Sequence, residues 1–214
     1  MKYHPDIELL LKYSSGQLEP AVSIAVGIHL QECNQCDKSI QEFESVGGST
    51  LEAIQVEPIA DGLFEKLMDD VGHLPLNQPV TVYDDYAVAD IDKPFLQQLS
   101  ERNYKNLEWK KVTKKISKAS IAMNDPRYQV ELLRFAPKAK IPKHTHIGSE
   151  ITVVLEGQFS DKDGTYKSGE FMVKDSSVEH QPLAGIEGCI CLAITDAPLK
   201  FTGTFGPIIN WWIK

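Results

Sequence analysis

The 214-residue sequence is short of several features that would settle its class at once. It has no apolar run near the ~20 residues that a bilayer-spanning helix needs. Its first residues, MKYHPDIELL, lack the apolar stretch and small-residue cleavage site of a secretory leader, so the chain is expected to be cytoplasmic. Positive charge is scarce: 22 Lys and Arg against 30 Asp and Glu leave a net charge of −8. Such a chain repels phosphate backbones, which argues against direct nucleic-acid binding, and an acidic surface suits a basic protein partner. No internal repeat or low-complexity tract is present. Cysteine is sparse too, and the four that occur fall into close pairs, Cys33/Cys36 and Cys189/Cys191. In a reducing compartment such pairs point to metal or redox chemistry rather than to structural disulfides.

What is present changes character along the chain. At 42% hydrophobic residues there is material for a real core, and the length allows one large domain or two small ones. Residues 5–70 carry helical periodicity. Ile7, Leu10, Leu11 and Leu18 begin it, and 20–32 follows with Pro20 in the first turn. A third helix is expected over 36–46, ended by Gly47-Gly48, and a fourth over 61–71 with Asp61 as N-cap. The stretch 72–95, with His73, Pro75, Pro79 and Pro94, reads as a linker. Beyond it the period becomes two. Segments starting at Trp109, Ser120, Tyr128, Ile151, Gly169 and Cys189 are short and β-rich, as in a sandwich or barrel. The expected fold is α+β in two domains, a small helical bundle over 1–85 and an all-β domain over 86–214.

Two constellations carry chemistry. His29 and Cys33 lie four apart, one helical turn, and Cys36 completes a C-x-x-C spacing. Two thiolates and an imidazole suit tetrahedral zinc, and His4 is the best candidate for the fourth ligand. Two thiolates and two neutral imidazoles cancel the charge of a dication, which suits a buried structural site. A thioredoxin-type redox pair is the other reading of C-x-x-C, but it normally follows a strand in a βαβ unit, and none is visible here.

The second constellation is His144-Thr-His146, then Glu150, then Gly157, with His180 downstream. His144 and His146 share one strand face, and Glu150 has the same parity after the Ile147-Gly148-Ser149 turn. Gly157 is expected to end the following strand. Three imidazoles and one carboxylate suit zinc, iron, manganese or nickel. With a dication they leave the centre at +1. Cys189 and Cys191 share one face of a strand and are core residues, redox partners or alternative metal ligands.

This second pattern resembles the cupin signature, H-x-H-x-x-x-E-x6-G followed by G…H. The ligand positions match fully, while Lys138, Asp175-Ser-Ser177 and Ala184 depart from the glycine, proline and asparagine positions around them. The pairing of both constellations is similar to the ChrR-type cupin anti-sigma factors. That likeness rests on His4-Pro5-Asp6, on Gly27 through Cys36, and on His144 through Gly157 with His180. The resemblance implies a zinc-binding helical anti-sigma domain fused to a cupin (jelly-roll) barrel. It implies zinc at His4, His29, Cys33 and Cys36 and a second ion, zinc or another divalent metal, at His144, His146, Glu150 and His180. It further implies an extracytoplasmic-function sigma factor as partner, released in response to an oxidant such as singlet oxygen. Leu63, Phe64, Leu67 and Met68 would offer sigma an apolar helix face, and Cys189 and Cys191 are candidate oxidation targets. The main competing reading is a metal-dependent cupin enzyme, dioxygenase-like, with a helical appendage, and a third is a dimeric module that binds and senses a small molecule. No acid–base pair supports the enzyme beyond Glu179 beside His180.

Overall fold

The computed structural model describes residues 1–73, 104, 107–123 and 125–203. The expected linker beyond His73, the boundary at 85/86 and Trp211-Trp212 lie outside the described residues.

The helical region opens with α1 (Ile7–Ser14), which starts where Asp6 Oδ1 accepts the Leu9 N–H at 2.8 Å. That cap satisfies one of the orphan donors of the first turn. Helix α2 (Pro20–Glu32) begins on Pro20 and breaks at Cys33, whose extended backbone separates it from α3 (Asn34–Glu52). Helix α3 runs through Gly47 and Gly48 rather than ending there. Neither glycine adopts the left-handed backbone that terminates helices. The Ser49 and Thr50 hydroxyls also bond back to the Ser45 and Val46 carbonyls at 3.0 and 2.9 Å, as such side chains do inside a helix. Two glycines weaken a helix by about 1 kcal/mol each relative to Ala, which is not enough to stop a 19-residue one. Helix α4 (Leu63–Gly72) starts after Gly62, at φ +77°, and makes no capping bond to Asp61, contrary to the expected cap.

Among the described residues nine antiparallel strands follow: β1 (Lys110–Lys111), β2 (Ile116–Ile121), β3 (Gln129–Phe135), β4 (His144–His146), β5 (Glu150–Ser160), β6 (Thr165–Lys167), β7 (Phe171–Lys174), β8 (Leu183–Thr195) and β9 (Leu199–Phe201). Seven form one sheet in the order β1-β2-β3-β8-β5-β6, with β7 also on β5, while β4 and β9 form a second, small sheet. Strand β5 passes through Gly157 instead of ending at it. The pairing with β8 shifts register there. Gly157, at φ +70°, lies so close to β8 that a Cβ would strike the Gly188 carbonyl. The glycine is a bulge, not a terminus.

The large sheet is buried on both faces, and its alternation sorts the side chains into two cores. On one face Val130, Leu132, Ile151, Val153, Phe171, Leu192 and Ile194 join Ala21, Val22, Ala25 and Val26 of α2. On the other, Phe135, Val154, Met172, Cys189 and Cys191 line the interior toward β4 and β9. A fully buried side chain of this size contributes about 1.5–3 kcal/mol, so α2 is held to the sheet by substance rather than by a few surface contacts. Gly169, in the turn before β7, lets α2 come close. Its φ is +83°, and a Cβ would meet Met1 Cε and, at 2.8 Å, Glu32 Cβ. Gly169→Ala is therefore expected to destabilise the protein by about 1–3 kcal/mol, seen as a lower urea midpoint. An unchanged midpoint would show that α2 and the turn can separate freely.

Candidate metal centres

The structure brings His4, His29, Cys33 and Cys36 together. His4 comes from the extended segment before α1, His29 from the last turn of α2, Cys33 from the break between helices, and Cys36 from the first turn of α3. His4 Nδ1 lies 3.4 Å from His29 Nε2, 3.3 Å from Cys33 Sγ and 3.4 Å from Cys36 Sγ, and His29 Nε2 lies 3.3 Å from Cys36 Sγ. A tetrahedron with metal–ligand bonds of about 2.0–2.3 Å has edges of about 3.3–3.8 Å; these four separations fit it, and all four ligand atoms lie within 4.8 Å of one another. Each imidazole is turned by its other nitrogen. His4 Nε2 donates to the Met1 carbonyl at 3.2 Å, and His29 Nδ1 donates to the Gly169 carbonyl at 2.7 Å. Those bonds leave the inward nitrogens with free lone pairs. Burial lowers the His29 pKa and pushes the Cys36 thiol up to about 12. A dication bound there is what would make its thiols into thiolates.

The second group is His144, His146, Glu150 and His180. The two-residue alternation of β4 turns His144 and His146 inward, and the start of β5 supplies Glu150. An isolated bridge joining His144 to His180 aligns the fourth member. His180 Nε2 lies 3.1 Å from His144 Nε2 and 3.3 Å from His146 Nε2. The second nitrogens again fix the tautomers: His144 Nδ1 donates to the Pro142 carbonyl at 2.9 Å, and His180 Nδ1 to Asp161 Oδ2 at 2.9 Å. Two lone pairs facing one another at 3.1 Å repel unless a proton or a cation lies between them. His146 Nδ1 is buried without a hydrogen-bond partner, 3.4 Å from Glu150 Oε2. Burial lowers His144 and His146 to about 4 and raises Glu150 to about 7. Unprotonated imidazoles around one carboxylate are a donor set for a divalent ion.

Beside this group is a cavity of about 50 Å³ lined by Phe135, Met172 and Cys191 as well as His144, Glu150 and His180. Cys189 and Cys191 point inward as their parity allows, with sulfurs 3.2 Å apart. The Cys189 hydrogen bond and burial push the Cys191 thiol well up. Glu179 faces outward and pairs with Lys143, away from the ligands. On α4, Leu63, Phe64, Leu67, Met68 and Val71 are all exposed, Phe64 at 69%. Sequence reasoning missed Asp161 and Gly169. Asp161-Lys-Asp-Gly164 carried a turn signal, but no pattern in it says that the carboxylate reaches His180.

Residues 100–198 match the ChrR Cupin-like domain family. The chain is 29% identical to the anti-sigma-E factor ChrR of Cereibacter sphaeroides over 98% of its own length and 97% of that protein. A chain from the crystal structure of Rhodobacter sphaeroides SigE in complex with the anti-sigma ChrR superposes with a TM-score of 0.70 at 26% identity, covering 91% of this chain and 99% of that one. Among the described residues, no helix is long and apolar enough to cross a membrane.

The titrations predict a pH profile for protein stripped of metal. His144 and His146 titrate at about 4 when folded against 6.5 ordinarily, so between those values the unfolded chain holds two protons that the folded chain does not. Glu150, at about 7 against 4.5, opposes them with one proton held by the folded chain. The histidines outnumber it, so stability is expected to rise from about pH 4.5 to 6.5 and to slip slightly toward 7. Urea midpoints of chelator-treated protein check this; a midpoint falling between pH 4.5 and 6.5 contradicts it.

Proposed function

We propose that this chain, whose ChrR-type organisation runs from His4 through the cupin-like domain, is a cytoplasmic anti-sigma factor that sequesters an extracytoplasmic-function sigma factor. The observation that carries the reading is the presence of both ligand groups on one chain that is similar to ChrR almost end to end. Its role is regulatory and not enzymatic.

We read each group as a zinc site, with the cupin group also suited to another divalent ion. The Cys33/Cys36 group is closed, neutral and buried, and binding energies of about 10–16 kcal/mol at such sites can organise short helices. A zinc ion there would join the segment before α1 to the α2–α3 junction and hold the helical unit in shape for its partner. The exposed apolar face of α4 then supplies an anchor for sigma, as amphipathic helices do in grooves.

The cupin-like domain is read as the oxidant sensor. A cavity of about 50 Å³ admits a few waters or one very small molecule, whereas pockets for metabolite-sized ligands run to about 300–1,000 Å³. That size favours a sensor of small oxidants, singlet oxygen among them, over the enzyme alternative. Cys189 and Cys191 are the proposed targets. Oxidation would take two electrons and two protons from the thiols to a two-electron oxidant and join the sulfurs.

Co-expression with candidate sigma factors is expected to yield a 1:1 complex with about two metal ions per chain. Cys33→Ser or Cys36→Ser should free sigma constitutively, whereas His144→Ala should leave sigma bound and unresponsive to oxidant. Leu67→Asp should weaken the complex at least about tenfold, the loss of a buried anchor worth 1.4 kcal/mol or more. Replacing Cys189 and Cys191 by Ser should abolish oxidant-triggered release. Normal sigma binding by the Cys33 and Cys36 variants would remove the helical scaffold from this account.

A further inference from the structure

A short strap of chain touches the surroundings of both ligand groups. Residues 1–4 lie against two turns of the cupin-like domain, and the strap ends in a ligand of the first group, His4. On the turn between β6 and β7, Glu170 Oε1 accepts the Lys2 backbone N–H at 2.7 Å while its Oε2 accepts the Lys167 N–H at 2.8 Å. Phe171 N–H donates to the Tyr3 carbonyl at 3.2 Å. The same turn offers the Gly169 carbonyl to His29, and the Phe171 ring stands edge-on to His29 at 6.1 Å.

The second turn, between β5 and β6, belongs to the other group. Tyr3 packs against Tyr166 with ring centroids 4.4 Å apart and the planes tilted by 45°, and its hydroxyl donates to the Asp163 carbonyl at 3.3 Å. A Cβ on Gly164 would strike that hydroxyl, so the turn is shaped around it. Asp161 heads the turn. Its Oδ1 accepts from the Asp163 and Gly164 N–H groups at 2.9 and 3.2 Å and from the Tyr166 hydroxyl at 3.4 Å, while its Oδ2 holds His180. Lys174 Nζ, which bonds Asp163 at 2.6 Å, waits 3.8 Å from the same Oδ2.

We propose that the Met1–His4 strap couples the two centres, through the chain of contacts His180–Asp161–Tyr166–Tyr3–His4. A metal on His180 holds the imidazole toward the ligand group and keeps Asp161 engaged with it. When that hold is lost, Asp161 has Lys174 as a second partner, the turn shifts, and the seat of Tyr3 shifts with it. His4, one residue on, then leaves the thiolate group less firmly bound. Asp161 and Tyr3 are positioning residues in this scheme. It rests on the reading of both groups as metal sites, and it does not depend on sigma.

Cobalt substitution separates the centres, because only the Cys33/Cys36 group gives thiolate-to-cobalt absorption. The full chain is loaded with cobalt, and loss of that absorption to a chelator is timed. In His144→Ala, which lacks a cupin ligand, the thiolate site is expected to lose cobalt at least about fivefold faster than in the wild type, the low end of ordinary coupling between sites. Asp161→Asn should reproduce most of that acceleration. Adding Tyr3→Ala should make the rate the same with and without His144→Ala. Tyr3→Phe keeps the packing against Tyr166 and loses only the bond to Asp163, and should leave a reduced dependence. Equal rates in wild type and His144→Ala, with two cobalt ions per wild-type chain, would overturn the coupling and leave the metal reading standing. No thiolate absorption in the wild type would overturn both. Full dependence retained in both Tyr3 variants would overturn the strap as its carrier.

Discussion

The organisation depends on the strict alternation of side chains along a sheet that is covered on both faces. A strand gives every second residue to each side. In β5 that sends Ile151, Val153 and Leu155 toward α2, and sends Glu150, Thr152 and Val154 toward the interior. In β8 it sends Leu192 and Ile194 one way, Cys189 and Cys191 the other. One set of strands therefore supports the helical unit on its back and presents chemistry on its front. A one-residue slip of β5 would exchange the two sets, driving Glu150 into an apolar helix interface and Ile151 into the ligand group. The packing of the helical unit and the geometry of the second group are thus held in register by the same hydrogen bonds.

Both ligand groups use the same device for aiming imidazoles. For His4, His29, His144 and His180 the nitrogen facing away is tied to an acceptor outside the group, the Met1 and Gly169 carbonyls in one and the Pro142 carbonyl and the Asp161 carboxylate in the other, while His146 has no such bond. The acceptors differ in what they bring. A carbonyl orients a ring, while a carboxylate also makes it more electron-rich and a better donor to a cation. The Gly169 carbonyl has a further consequence, since it belongs to the cupin-like domain and orients a residue of α2. The helical group is completed, one shell out, by the sheet.

Legibility in the sequence followed the range of the interaction. In the two candidate groups the close members were readable from short spacings, four residues between His29 and Cys33 and two between His144 and His146 on β4, while His4 and His180 stand 25 or more residues from their partners in the groups. The change of period near residue 100 separated helices from strands. Helix and strand ends were less readable. Gly47-Gly48 and Gly157 look like stops, yet the first pair keeps right-handed helical backbone and the second is a bulge opposite Gly188. Least readable were contacts between residues far apart in sequence. Nothing near Asp161 announces His180, nothing near Gly169 announces His29, and the packing of α2 on the sheet appears only as the apolar face Ile151, Val153 and Leu155 of β5.

The narrow interior bears on timing. Cys189 and Cys191 are 4% and 2% exposed, so whatever reacts with them must be small enough to enter past the core. Reductants of the cell, peptides and proteins with thiols of their own, are far larger and need direct access to a sulfur. A modification made by a small species would outlast the species that made it. In the sensor role proposed for these thiols, the chain would register accumulated exposure rather than momentary concentration, and the signal would be cleared by synthesis of fresh chains rather than by repair.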